Sequence, residues 1–390
     1  MESKMSKPLA TNSVELTDTS IRPFRITIPQ SDLDDLQARL TRTRWPDELP
    51  GTVGKYGVSL EYMKELVEYW RNSYDWRKHE KQLNEYPQFT ITIDGTNVHF
   101  LHVRSPEPDA MPLILNHGWP GSILEFLNVI DLLTNPRTYG GNPSDAFHLV
   151  IPSMPGYGFS GPTNETGWDV HRIARAWIQL MDRLGYDNYA VHGGDFGSVV
   201  ALNMGQQAPD HICGIHLNFL PMAPSGDLSD LSEEDKARIA KLESYLAAPA
   251  GHKVIQSTRP QTLAYGLTDS PVGQLAWIAE KFTEWSDPIR SIDRDLLLTN
   301  VMLYWLSGTA ASSSRLHYES ATIKRQKKPC SVPIGIAVFS YDLFLPVRRL
   351  AERQYNIVHW SEFDCGGHFA AIEAPDLLSA DIKTCFRRFR

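Results

Sequence analysis

The sequence predicts an α/β fold: a mostly parallel, eight-stranded sheet with crossover helices and one long helical insertion. Three observations predict it. Short apolar segments recur at Phe89–Ile93, Val98–Val103, Leu113–Leu115, Leu149–Ile151, Tyr189–His192, Ile212–Leu217, Ile334–Phe339 and Asn356–His359, and helical stretches such as Val170–Leu184 alternate with the later ones. Between Pro221 and about Gln326 that alternation stops, and the chain reads as helices rich in Trp and Tyr before returning to a strand at Ile334. Finally, an apolar strand runs through Val191-His192-Gly193-Gly194-Asp195-Phe196-Gly197-Ser198 into a helix, the pattern G-x-D-x-G.

Taken in order, residues 1–20 are polar and rich in Ser and Thr, and are expected to form a disordered tail. Residues 21–88 form an amphipathic, helical leader that wraps the core. Ser31-Asp32 is its first expected cap, before Leu33, Leu36 and Leu40, Trp45-Pro46 is a stop, and a second helix runs from about Leu60 to Trp70. The core is expected at 89–220 and 327–390, and the insertion at 221–326 is placed to cover the carboxyl edge of the sheet as a lid.

Composition narrows the classes of function. With 42% hydrophobic and 22% charged residues, the 390-residue chain is an ordinary globular protein. A net charge of -8 without a basic run excludes a phosphate-tracking surface, so no nucleic-acid partner is expected. Cys213, Cys330, Cys365 and Cys385 are scattered without metal-ligand spacing, which points to reduced thiols and no metal. No apolar run near the start can serve as a signal peptide or anchor, and the C-terminus matches no retrieval signal. The expectation is a soluble, cytoplasmic protein acting on a small molecule without a cofactor.

The chemistry lies in Asp195. In the strand-to-helix turn called a nucleophile elbow, a serine makes acyl-enzymes from esters and amides. A carboxylate there attacks an electrophilic sp³ carbon and becomes an alkyl ester, so epoxides and alkyl halides are the substrates to consider. Gly193, Gly194 and Gly197 supply the room such a turn needs. An aspartate N-cap at a glycine-rich turn is the plainer reading, but three further segments outweigh it. Leu115-Asn116-His117-Gly118-Trp119-Pro120-Gly121-Ser122 ends an earlier strand, where an α/β-hydrolase carries half of its oxyanion hole; the backbone N–H groups of Trp119 and Phe196 are the candidate donors. His117 is assigned to hydrogen bonding behind the site. Gly366-Gly367-His368-Phe369 follows the last apolar strand, where the general base of this architecture falls. Asp342, just after the strand ending at Phe339, can fix the tautomer of His368, with Asp364 as its rival.

These residues, with Pro23-Phe24-Arg25-Ile26, Arg44-Trp45-Pro46, Pro155-Gly156-Tyr157-Gly158-Phe159-Ser160, Ser257-Thr258-Arg259-Pro260, Asp269-Ser270-Pro271 and Leu303-Tyr304-Trp305, give a chain that resembles the epoxide hydrolases of the microsomal type, including their soluble fungal members. The resemblance covers nearly everything after residue 20. It implies an α/β-hydrolase core, a helical lid, an Asp195–His368–Asp342 triad, no metal or organic cofactor, and a homodimer, here without the microsomal membrane anchor.

The resemblance also implies two lid tyrosines that donate to the leaving oxygen. At those positions stand His252 and His317, with Tyr318 one step from the second and Tyr245 in the same region. An imidazolium, with a pKa near 6.5, is a stronger acid than a phenol near 10. The expectation is one charged ring at most, and a rate that falls as pH rises through about 7. The substitution leaves three alternatives open beside epoxide hydrolysis: a dehalogenase with the same nucleophile, a biosynthetic isomerase or cyclase, and a ligand receptor that has kept the pocket.

Overall fold

The computed structural model describes residues 20–222, 228–229, 231–247, 250–323 and 330–390. Most of the expected tail, and the stretches at both margins of the insertion, lie outside these residues. The strands are β1 (Arg22–Phe24), β2 (Gln88–Ile93), β3 (Thr96–Val103), β4 (Met111–Asn116), β5 (Phe147–Pro152), β6 (Tyr189–Gly193), β7 (Ile212–Leu217), β8 (Ile334–Phe339) and β9 (Ile357–Phe363). They form one sheet of nine strands in the order β1-β2-β3-β5-β4-β6-β7-β8-β9. The expected count of eight is therefore corrected: the leader contributes β1, which pairs antiparallel with β2. Its three residues are too few to show an alternation. From β5 onward every pairing is parallel, the geometry that crossover helices impose.

The central strands carry a continuous apolar run because helices cover both faces. Every residue of β5 and β8 is buried. Helix Val170–Arg183 packs with Asp195–Gln207, and Leu127–Thr134 packs with Pro375–Phe386. Within the second of these layers a polar ladder crosses the strands. Asp381 accepts from Nε2 of His216 at 2.9 Å and of His359 at 2.8 Å, and Nδ1 of His216 meets Nδ1 of His192 at 2.9 Å.

The leader differs in detail from its expected capping. Its first helix runs from Gln30 to Thr41 with Pro29 at the N-cap and no side-chain cap bond, so Ser31 and Asp32 lie inside the first turn. The fixed φ of proline presets the helix entry without a side-chain acceptor. The second helix, Leu60–Asn72, is capped by Ser59, which accepts from Tyr62 N–H. Between β7 and β8 the insertion contributes helices Glu233–Ala247, Gly251–Thr258, Pro260–Asp269, Pro271–Glu284, Arg294–Ser307 and Ala310–Ala321. Among the described residues no helix is long and apolar enough to cross a membrane.

Candidate active site

The site is built at the carboxyl ends of β4, β6, β8 and β9. Asp195 begins its helix with φ +48°, a left-handed conformation rare for a residue with a side chain. The strain is tolerated because the chain can approach so closely there. A methyl group on Gly197 would overlap the carbonyl of Asn116, and one on Gly118 would overlap the Asp195 carboxylate itself. Glycine at both positions lets the β4 loop press against the turn. The Trp119 N–H donates to Asp195 Oδ1 at 2.9 Å, and Phe196 N–H also bonds the carboxylate.

His368 lies opposite. Its Nε2 is 3.4 Å from Asp195 Oδ2, and its Nδ1 is 2.8 Å from Asp342 Oδ1. Asp364, the rival for that contact, is exposed. Burial alone would push His368 down, but Asp342 and Asp195 outweigh it and hold the ring up at about 10. Burial likewise opposes the charge on Asp195, and His368 with the Phe196 and Trp119 N–H groups reverses that to leave its pKa lowered. Asp195 is thus held as the carboxylate and His368 as the imidazolium.

The insertion grips the loops that carry these groups. Asn300 donates to Pro120 O at 2.8 Å and accepts from Ser122 Oγ at 2.7 Å, while Tyr304 Oη donates to Gly121 O at 2.6 Å. On the other side, His368 N–H donates to Trp285 O at 2.8 Å, and Gly366 N–H to Asp287 Oδ2 at 2.9 Å. Glu373 accepts from the N–H of Asp287 at 2.6 Å and of Phe369 at 3.0 Å. His117 sits behind the loop, with Nδ1 3.1 Å from Gly118 O and Nε2 accepting from Met154 N–H at 3.1 Å; burial holds it neutral, at about 4.

Two imidazoles close the site from above. His252 stacks on Trp119 at 5.1 Å and 12°, His317 meets the edge of the same indole at 5.3 Å and 87°, and the two rings stand 6.0 Å apart. His317 also packs on Phe196 at 4.7 Å. Burial lowers His252 to about 3 and His317 to about 4. The expectation of a charged ring is corrected accordingly: both are neutral, because an enclosed apolar setting disfavours the cation more than the nearby Asp195 favours it. Tyr318 is corrected too. It is 42% exposed, since one step along a helix turns a side chain by about 100° away from its neighbour. Tyr245 lies near enough to Asp195 and Asp342 for burial and both charges to raise its phenol to about 12.

Several groups escaped the sequence reading. Glu125 reaches back under its own loop, taking the space that a side chain at Gly121 would fill and accepting from the Gly118 N–H. Burial raises it to about 8, with His368 and Asp195 in electrostatic reach. Gln256, fully buried, lies between Trp277 and His317. Its spacing from His252, one helical turn, was the available signal. Among the described residues no three His, Cys, Asp or Glu are grouped to hold a metal ion.

A carboxylate at a glycine-lined elbow, backed by histidine and a second aspartate on a mostly parallel sheet, defines an α/β-hydrolase. Residues 111–325 match the alpha/beta hydrolase fold family, and residues 21–126 match the family described as epoxide hydrolase N terminus. The chain belongs to the epoxide hydrolases. It is 44% identical over 376 residues to a putative epoxide hydrolase of Stigmatella aurantiaca, covering 95% of this chain and 86% of that one. Epoxide hydrolase 1 of Sus scrofa is 36% identical, covering 94% and 88%. The Aspergillus niger epoxide hydrolase structure matches with a TM-score of 0.87 at 33% identity, covering 96% of this chain and 97% of the other. The juvenile hormone epoxide hydrolase of Bombyx mori matches at 0.87 and 30%, covering 96% and 95%.

Proposed function

We propose that this site opens an epoxide to a vicinal diol through an ester on Asp195. The observation that carries the reading is the asymmetry of one carboxylate: Oδ1 receives the Trp119 N–H while Oδ2 faces His368. Oδ2 attacks an epoxide carbon, the C–O bond breaks, and its electron pair goes to the departing oxygen. His252 and His317 hydrogen-bond that oxygen as neutral N–H donors, strengthening as charge moves onto it from Asp195. Esterification removes one of the two negative charges that hold the proton on His368. That ring releases a proton and the alkoxide takes one up.

Neutral His368 then accepts a proton from water at Nε2, and the hydroxide adds to Cγ of Asp195. The tetrahedral oxyanion forms on Oδ1 between the N–H groups of Trp119 and Phe196. Collapse breaks the bond from Cγ to the ester oxygen, and the diol leaves with a proton from His368. The remaining carboxylic proton passes to His368 and restores the starting charges. Asp342 keeps the ring oriented throughout. The steps balance with water alone, so no cofactor enters. In this reading the helices of 221–326 act as a lid and 21–88 as the wrapping segment over the core of 89–220 and 327–390.

A single turnover in heavy-oxygen water tests the scheme. The label is expected in the Asp195 side chain, and the first diol is expected to carry none of it. A diol labelled in the first turnover excludes the ester.

A further inference from the structure

We propose that Gln256 is a positioning residue that holds the His317 ring in place and in its neutral form by donating to it from its amide NH₂. The inference rests on the reading of His317 as a donor to the departing oxygen. Gln256 lies one turn beyond His252 on helix Gly251–Thr258 and is fully buried. Trp277 Nε1–H donates to its Oε1 at 2.9 Å, and Ser314 Oγ donates to the same atom at 3.3 Å. An indole nitrogen can only donate, so this pair fixes which end of the amide is oxygen.

The NH₂ end therefore faces His317, 3.0 Å from Nδ1 and 3.3 Å from Nε2. An amide NH₂ can only donate, and an imidazolium has no lone pair to offer it. The contact accommodates the neutral ring alone. Both ring nitrogens lie within reach of the NH₂, and the one that accepts carries no proton, which leaves the ring's single N–H on the other.

The charged or titratable groups in electrostatic reach of His317 are Asp195, Lys253 and His252. Lys253 and any charge on His252 oppose a cation there, whereas Asp195 favours one. Burial and Lys253 already outweigh the pull of Asp195 on His317, and the Gln256 amide adds to them a donor that a charged ring has no lone pair to meet. An amide donor anchored by Trp277 thus reinforces the neutral ring and fixes its position.

The test is Gln256→Glu, which keeps the size of the side chain and an acceptor for Trp277 and Ser314 while exchanging the NH₂ for oxygen. His317 is then expected to take up a proton. Its titration midpoint, followed by NMR of ring-¹⁵N histidine, should rise by about 1–3 pH units over wild type. The rate of ester formation in single turnovers of styrene oxide, expected to be flat from pH 6 to 9 in wild type, should acquire a limb at the new midpoint. A midpoint within about half a unit of wild type overturns the proposal. If Gln256→Glu does not fold, Gln256→Met, which removes the donor without adding charge, should move the midpoint upward by a smaller amount; no movement overturns the proposal equally. A shifted midpoint with an unaltered rate sustains the control by Gln256 and strikes the donor role of His317.

Discussion

His368 Nε2 stands 3.4 Å from Asp195 Oδ2, close enough for an imidazolium to hold the carboxylate's charge. In the proposed scheme Asp195 forms the ester and His368 activates the water that cleaves it, so their replacements should fail differently. After exposure to styrene oxide, mass spectrometry of His368→Gln should show a covalent adduct that accumulates, with turnover lowered by at least about 10³. Asp195→Asn should show none. An adduct in the Asp195 variant would place the nucleophile elsewhere.

The paired rings of His252 and His317 supply the second expectation. With the two held near 3 and 4, protonation is not lost around neutrality, and ester formation should stay level from about pH 6 to 9. Single-turnover kinetics across that range check this; a fall centred near 7 would restore the charged ring. Replacing either histidine by phenylalanine keeps a ring against Trp119 but removes a donor, and should slow ester formation by about 10²-fold.

Glu125 links the site to stability. Its carboxyl is raised by burial from 4.5 to about 8, so the folded chain holds a proton that the unfolded chain releases between those values. Its contribution is full below about pH 4.5 and erodes as pH rises through about 8. Urea unfolding of wild type and Glu125→Gln should therefore diverge with rising pH, the variant becoming relatively more stable. Parallel curves from pH 5 to 9 would show that Glu125 ionises freely.

Asp381 works in the opposite sense. Burial opposes its charge, but His216 and His359 outweigh it and depress the pKa well below 3.8, so its contribution is present above about 3.8 and is lost as the pH falls toward the folded value. Asp381→Ala leaves buried His216 and half-buried His359 without their shared carboxylate and should cost about 3–5 kcal/mol at pH 7. Denaturant midpoints at pH 7 measure it, and a loss below about 1 kcal/mol would mean the ladder is rebuilt around water.

The elements that could be read directly from the chain were those whose chemistry and spacing coincide. Asp195 announces itself through the glycines that its turn requires, and His368 and Asp342 through their places at strand ends. β1 could not be read because three residues fix no period. Glu125 stayed hidden because its inward turn comes from a short 3₁₀ segment, Ile123–Phe126, whose geometry no amphipathic pattern marks. The charge on His252 and His317 was misjudged for a related reason: an ordinary pKa belongs to a solvated ring, and enclosure by Trp119, Trp285 and Phe196 appears only once the chain is folded.

The three bonds from Asn300 and Tyr304 to Pro120, Ser122 and Gly121 stitch one flank of the insertion to the very loop that cradles the nucleophile. That flank cannot swing away as a hinged cover without dismantling the cradle.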